Sequence, residues 1–357
     1  MEVYARNLVP LLPDALPEVR FVVFGGRELE DEWRVAPWHP AIEFVGLPVS
    51  SRSRGVRTAL ELTVLERSLR AARVDLVHGL GNVLPLGPGL LRVVTIFDCI
   101  HFTHPETTGP LLAMGMRGLI RAGARRADRV IAISNATARD LQSIVGVPAD
   151  KIDVVLAGPG AAPVASPRPE PELRSRLGIP DGPLVLAVAA RRPHKNLLRL
   201  IQAIADVPDG VLVLPGYPTA FDAGLEDAAR SLGVQDRVIL CGWVDDADLE
   251  GLYAAADCVA LPSLIEGFGL PLLEAMARGV PVVASDIPVF REVGGDAPVY
   301  VDPRSSASIA GGLRQALGGS VGHDELVARG RRRVAGFSWA AAATGTAEAY
   351  RRAGVLA

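Results

Sequence analysis

Cysteine is scarce in this sequence: Cys99, Cys241 and Cys258 are the only three in 357 residues. Their number is odd and their spacing suits neither pairing nor metal ligation, which excludes a disulfide framework and a structural zinc site. They read as buried apolar residues in a reducing compartment. An excess of basic charge is also missing, the formal net charge being -3, and this argues against a nucleic-acid partner and for a small molecule. No apolar run is long enough to span a bilayer, and the opening MEVYARNLVPLLPD carries Glu2 and Arg6 where a signal peptide would need an unbroken apolar stretch. The expectation is a cytoplasmic protein, at most peripheral at the inner membrane face. Internal repeats and low-complexity tracts are absent as well.

What is present is alternation. The length fits two domains of comparable size, each able to bury its own core, with a cleft implied between them. Short branched apolar runs at Val19 to Phe24, Leu76 to His78, Val93 to Phe97 and Val130 to Ile133 are separated by helical patterns such as Val56 to Ala72. This is the pattern of a parallel sheet with helices on both faces. It breaks between Ala161 and Pro171, a stretch rich in proline and alanine without periodicity, which predicts an inter-domain crossing. Strand-like runs then resume at Leu184, Val211, Arg237, Cys258 and Pro281, with helical patterns between them. The expected division is residues 1–165, residues 166–340 and a C-terminal helix, 341–357, returning to the N-terminal domain. In such sheets a ligand binds at the carboxyl ends of the strands.

The densest chemistry lies in PSLIEGFGLPLLEAMARGVPVVASD, from Pro262 to Asp286. A strand enters a loop in which Gly267 and Gly269 let backbone N–H groups approach an anion, and the helix from about Leu270 aims its positive end at the same point. This predicts a diphosphate cradle. Glu266 and Glu274 bracket it, suited to accepting hydrogen bonds from sugar and ribose hydroxyls. For an isolated pair of glutamates the plainer reading, two solvated carboxylates beside a turn, would win. A second cluster, AARRPHKNLLRLIQAI from Ala189, places Arg191, Arg192, His194 and Lys195 between a strand and an amphipathic helix. Cations at a strand's carboxyl end can neutralise a departing diphosphate, although a basic loop taken alone is more often merely solvated.

With GWVDDADLEGLYAAADCVALPS from Gly242, these segments resemble the retaining family 4 glycosyltransferases, also called glycosyl transferases group 1, whose α/β GT-B fold has two Rossmann-like doubly wound domains. The resemblance runs from roughly Val3 to Tyr350 and is densest from Leu184 to Pro303. It implies that Glu266 lies near the transferred sugar's hydroxyls and that Glu274 holds the ribose. Lys195 matches the diphosphate-binding lysine. Phe268, Gly269 and Leu270 match backbone positions that contact sugar and phosphate, while Gly242, Trp243 and Val244 match the segment lining the nucleobase. The family's arginine before the lysine falls here on Ala189 and Ala190, so Arg191 is the expected substitute and Arg192 its competitor.

In the N-terminal half, VVTIFDCIHFTHPE places Asp98, His101 and His104 after a strand. The family ends a similar strand in a His-Asp pair facing the sugar. Phe97 stands where that histidine would be, so the resemblance carries over Asp98, with His101 as a replacement donor or a structural hydrogen-bonder. His78 and Asn82 occupy a comparable strand end and are assigned to the acceptor side. Ser134 reads as a helix N-cap. The family's first strand and glycine-rich loop precede the helix that MEVYARNLVPLL resembles. This chain opens inside that helix, so the expectation is a shortened start or lost activity. Arg117, Arg121 and Arg125 recur at four-residue steps, either as a solvated basic face or as a surface for an anionic membrane.

The expected activity is retaining, metal-independent transfer of a hexose, mannose or glucose, from a GDP- or UDP-linked nucleotide sugar to a glycan or lipid-linked acceptor of polysaccharide biosynthesis. No cofactor is expected beyond these substrates. The alternatives are a nucleotide-sugar epimerase on the same fold and a catalytically inactive sugar-nucleotide-binding protein.

Overall fold

The computed structural model describes residues 2–36, 38–48, 65–85, 89–107, 109–160, 166–318 and 320–355. The chain divides into two compact units, one formed by Met1–Gly158 with Ser338–Ala357 and the other by Pro159–Phe337. Of the helical pattern expected from Val56, residues 65–71 are helical and 56–64 lie outside the described residues. Residues 161–165 of the expected crossing also lie outside them.

The first unit opens with helix α1 (Glu2–Leu8). Its strands are β1 (Phe21–Gly25), β2 (Ile42–Gly46), β3 (Leu76–Gly79), β4 (Leu91–Ile96), β5 (Arg129–Ala132) and β6 (Ile152–Val154). They form two parallel sheets, β1-β2 and β3-β4-β5-β6. Helix α2 (Pro110–Arg126) joins β4 to β5. Val94 and Ile96 of β4, Ile120 and Ala124 of α2 and Val130 of β5 share one apolar core. Such burial, at about 25 cal/mol per Å² of apolar surface, is the main stabilising term. Arg129 pairs with buried Asp153 through two hydrogen bonds of 2.8 Å each, joining β5 to β6 by side chains as well as backbone.

The second unit contains one sheet of β7 (Leu184–Leu186), β8 (Val211–Leu214), β9 (Val238–Leu240), β10 (Cys258–Leu261), β11 (Val282–Ser285) and β12 (Val299–Val301). Its order is β12-β11-β10-β7-β8-β9, all parallel. Every residue of β7, β8, β10 and β11 is buried, which is why these strands read as unbroken apolar runs rather than alternating ones. Helices α3 (Leu197–Ala205), α4 (Asp246–Ala255) and α5 (Leu270–Ala277) position the site described below. Leu200, Ile201 and Ile204, at helical spacing on α3, enter the same core as Val185, Leu212 and Leu214.

The last helix, α6 (Trp339–Ala353), starts at Ser338, whose hydroxyl accepts from the Ala341 N–H at 3.1 Å, and it belongs to the first unit. Ala342, Ala343 and Ala347 are buried, their small size permitting close approach, and Trp339 meets Tyr4 of α1 edge to face at 5.5 Å. All three cysteines are buried free thiols; burial pushes Cys99 up to about 12 and Cys241 up to about 11, far from thiolate chemistry. Among the described residues no helix is long and apolar enough to cross a membrane.

Candidate functional site

In the second unit the strand order runs outward in opposite directions from β7 and β10, which are neighbours. A ligand crevice opens at such a reversal, beyond the carboxyl ends of the two strands. The chain leaving β7 forms a single turn, Pro193–Lys195, and ends at Asn196, whose φ of 59° lies in the left-handed region where asparagine is tolerated. The Asn196 amide donates to the carbonyls of Pro262 (2.9 Å) and Pro303 (2.7 Å), fastening the turn to the segments after β10 and β12. Lys195 is thereby held beside the chain leaving β10. There its ammonium pairs with Glu266, both side chains being about one-sixth exposed. Ser263, itself buried, donates to the same carboxylate oxygen at 2.9 Å. A cation and a carboxylate from either side of the strand reversal thus meet where a ligand would sit.

From Glu266 the chain turns through Gly269, whose φ of 94° favours glycine and whose missing Cβ leaves room for the Phe290 ring. Phe268 is buried with its ring edge-on to Phe337 at 6.2 Å. Its side chain is therefore core, and only its backbone is left to meet a ligand. Gly269 caps α5, and Leu270 opens it.

Glu274, on the next turn of α5, accepts from the Tyr253 hydroxyl of α4 through Oε2 at 3.1 Å. Its other oxygen abuts Gly160, where any Cβ would overlap the carboxylate. Burial raises the Glu274 carboxyl above the usual carboxylate range, opposed by the Tyr253 hydrogen bond and the Arg278 charge. Arg278 lies over the Tyr253 ring at 4.7 Å and is held by Glu250 at 2.8 Å. Tyr253, Ser263 and Gly160 were missed by sequence reasoning. Ser263 is three residues from Glu266 and had a local signal, whereas Tyr253 and Gly160 reach Glu274 only through the fold.

One expectation is corrected outright. Arg191 is not a ligand-facing cation: it is 2% exposed, and its two terminal nitrogens donate to the Asp222 carboxylate and the carbonyls of Leu214 and Cys241. Turning it outward would leave the Cys241 carbonyl without a donor and the Asp222 carboxylate without its cation. Its neighbour Arg192 is half-buried and has no side-chain hydrogen bond or ion pair within the described residues. Gly242 and Trp243 are exposed after β9, with Val244 buried beside them.

In the first unit, His78 and Asn82, expected on the acceptor side, both hold internal hydrogen bonds. The His78 ring nitrogens lie 2.8 Å from the Tyr350 hydroxyl and 2.8 Å from the Thr95 hydroxyl, and burial pushes its pKa down to about 3, so it is neutral. Asn82, at φ 63°, accepts from the Phe97 N–H at 2.8 Å and donates its own N–H to the Thr95 carbonyl at 2.9 Å. Both pin the exit of β3 to β4. Phe97 packs edge-on to Tyr4 at 5.0 Å. Asp98 accepts from the Ile100 N–H at 3.0 Å, and the His101 carbonyl accepts from Arg117 at 2.6 Å. Ser134 caps its helix by accepting from the Thr137 N–H at 3.0 Å.

Residues 169–333 match the family described as glycosyl transferases group 1, and residues 1–158 match glycosyltransferase family 4. The chain is 31% identical to the O-antigen chain mannosyltransferase B of Escherichia coli over 80% of its own length and 76% of that protein. It is 34% identical to the D-inositol 3-phosphate glycosyltransferase of Kineococcus radiotolerans over 70% of its length, spanning 61% of that protein. Among solved structures, Anabaena Alr3699/HepE in complex with UDP and glucose superposes with a TM-score of 0.74 at 20% identity, covering 97% of this chain and 95% of that one. WaaG, a glycosyltransferase involved in lipopolysaccharide biosynthesis, superposes with a TM-score of 0.72 at 21% identity, covering 96% and 94%.

Proposed function

Since the chain belongs to the family 4, group 1 glycosyltransferases with a GT-B fold, we propose that it transfers a hexose from a nucleotide diphosphate sugar, with retention and without a metal ion. The Lys195–Glu266 pair at the strand reversal carries this reading. When a donor enters, Lys195 turns to the diphosphate, and Glu266 is released to accept from hydroxyls of the transferred sugar. Arg192 replaces Arg191 as the second cation, and the amides at the start of α5 complete the cradle. Glu274 holds the ribose through the oxygen that Tyr253 does not occupy.

The acceptor hydroxyl bonds to the anomeric carbon on the face from which the diphosphate departs. The electrons of the broken carbon–oxygen bond go to the diphosphate, whose oxygen takes the acceptor's proton. No cofactor beyond the substrates takes part. Mannose carried on GDP is favoured, from the likeness to a mannosyltransferase, with UDP-glucose as the competitor and a glycan or lipid-linked hydroxyl as acceptor. The site of action is the cytoplasmic membrane face. Leu111, 78% exposed, and Met114, 64% exposed, lie on α2 with exposed Arg125 and support a peripheral contact there.

The test is a thermal-shift titration with UDP, GDP and ADP and their sugars, with and without EDTA, run beside Glu274→Ala. A rise in Tm given by one nucleotide sugar, insensitive to EDTA and abolished in the variant, is expected. A rise that requires manganese defeats the metal-independent mechanism, and the absence of any rise defeats the donor assignment.

A further inference from the structure

Gly160 lies near the start of the second unit and is buried. A Cβ at this position would overlap Glu274 Oε1 and stand 2.5 Å from Cδ and 2.7 Å from Cγ of the same side chain, closer than packed atoms approach. The Glu274 carboxylate therefore fills the space that a side chain at position 160 would take. Gly269 is a glycine partly for its backbone, with φ at 94°, whereas Gly160 is not among the residues of positive φ. Its backbone asks for no glycine. What asks for one is the neighbouring carboxylate.

The carboxylate has little freedom to step aside. Leu272, Leu273, Ala275 and Met276 of α5 are buried around it, which holds the helix in place. Oε2 keeps the Tyr253 hydroxyl at 3.1 Å, and α4, which carries Tyr253, is fastened on a different face. There the Arg168 N–H donates to the Ala247 carbonyl at 3.0 Å, and the Arg168 guanidinium pairs with Asp248, which is 1% exposed. The Arg168 carbonyl sits so close to Gly251 that a Cβ there would lie 2.6 Å from it. With α4 clamped in this way, Tyr253 cannot follow a carboxylate that moves. A methyl group on residue 160 would have to turn Glu274 about its own bonds, which breaks the Tyr253 hydrogen bond and leaves a largely buried carboxylate without that donor.

We infer that Gly160 is a positioning residue of the donor site: by having no side chain it fixes where the second oxygen of Glu274 stands, and through that oxygen it sets the preference for a ribonucleotide over a nucleotide that lacks the ribose hydroxyls. The inference rests on the ribose contact proposed above for Glu274. It adds a residue that the family resemblance leaves unassigned and that need not touch the ligand. Displacing the carboxylate oxygen and deleting the hydroxyls it accepts from break the same contact, so the two losses do not add.

GDP, UDP and their 2′,3′-dideoxy counterparts are titrated by calorimetry into the whole chain, Gly160→Ala, Glu274→Ala and the double variant, and the Tm of each empty protein is recorded. The unaltered chain is expected to bind its preferred nucleotide about tenfold more tightly than the dideoxy form, the usual worth of a hydrogen bond to a charged group. Gly160→Ala should remove that preference by weakening the ribonucleotide alone, since the diphosphate contacts are retained. Its Tm should fall while Glu274 is present. With Glu274→Ala, which makes room for the methyl group, the same substitution should leave Tm unchanged or raise it, as glycine-to-alanine changes do at unstrained sites. If Gly160→Ala alone does not fold, recovery of the fold in the double variant supports the inference, and failure of the double variant as well overturns it. A preference that survives Gly160→Ala, or a Tm loss of the same size with and without Glu274, overturns the role of Gly160 and leaves the donor site standing. An unaltered chain that binds the dideoxy form as tightly as the ribonucleotide, or binds neither, overturns the ribose contact and this inference with it.

Discussion

The Tyr253 hydroxyl of α4 donates to Glu274 Oε2 across 3.1 Å, while Gly160 crowds the other oxygen of the same carboxylate. One oxygen is thereby committed to the tyrosine, and the other lies against Gly160, where any side chain would overlap it. Arg278, stacked at 4.7 Å on the Tyr253 ring and paired with Glu250, holds the tyrosine in place. The carboxylate proposed to bind the ribose is oriented by residues that need not touch the ribose.

Removing only the hydroxyl, with Tyr253→Phe, is expected to weaken donor binding roughly tenfold, the usual worth of a hydrogen bond to a charged group. The pH dependence separates orientation from mere packing. The Tyr253 bond lowers a carboxyl that burial raises, so its loss lets the Glu274 pKa climb further. The acid limb of donor affinity should move to higher pH in the variant, and an unmoved limb would show that the hydroxyl does not act through Glu274.

Glu274→Gln should stabilise the empty protein at neutral pH while abolishing the nucleotide-dependent rise in Tm. The folded-state pKa of Glu274 lies above its unfolded value. The folded state therefore binds the proton more tightly, and the stability this contributes is fully present below the unfolded pKa and lost as pH rises through the folded one. A neutral amide avoids that loss, so the Tm difference between variant and parent should grow with pH across this window. A difference of the opposite sign would mean that the ionised carboxylate is stabilised in the free protein.

Adjacent arginines should separate cleanly. Arg191→Ala strips the Asp222 carboxylate of its paired cation and leaves the Cys241 carbonyl without its donor and is expected to cost about 3 kcal/mol in denaturant melts. Arg192→Ala should fall within about 0.5 kcal/mol of the parent, yet weaken nucleotide diphosphate binding several-fold while sparing nucleoside binding. Reversed phenotypes would restore Arg191 as the diphosphate ligand.

Much of the second unit was legible before folding. The helix predicted near Leu270 to Ala277 is α5 at Leu270–Ala277, because Gly269 marks its start and Leu272, Leu273, Ala275 and Met276 are buried. The runs at Leu184, Val211, Cys258 and Pro281 became β7, β8, β10 and β11, since strands buried on both faces carry their signal in continuous apolar residues. Three short strands, β2, β6 and β12, escaped notice. Their burial is mixed, Ile42, Asp153 and Val301 being buried beside more open neighbours, and runs so short have little periodicity to read.

The sequence by itself determined the family, the succession of strands and helices in the second unit, and the placing of Lys195, Glu266 and Glu274 near strand ends. Each of these is written in local spacing: apolar runs, glycines at turns, carboxylates a fixed number of residues apart. Tertiary structure alone decided which of two neighbouring arginines is buried in internal hydrogen bonds. Asp222, Leu214 and Cys241, which claim Arg191, are distant in sequence. It likewise bonded His78 and Asn82 to neighbouring strand residues, set Tyr253 against Glu274 and laid Tyr217 against Trp243. A side chain's role depends on which partners the packed chain brings within hydrogen-bond reach, and no spacing along a strand end encodes them.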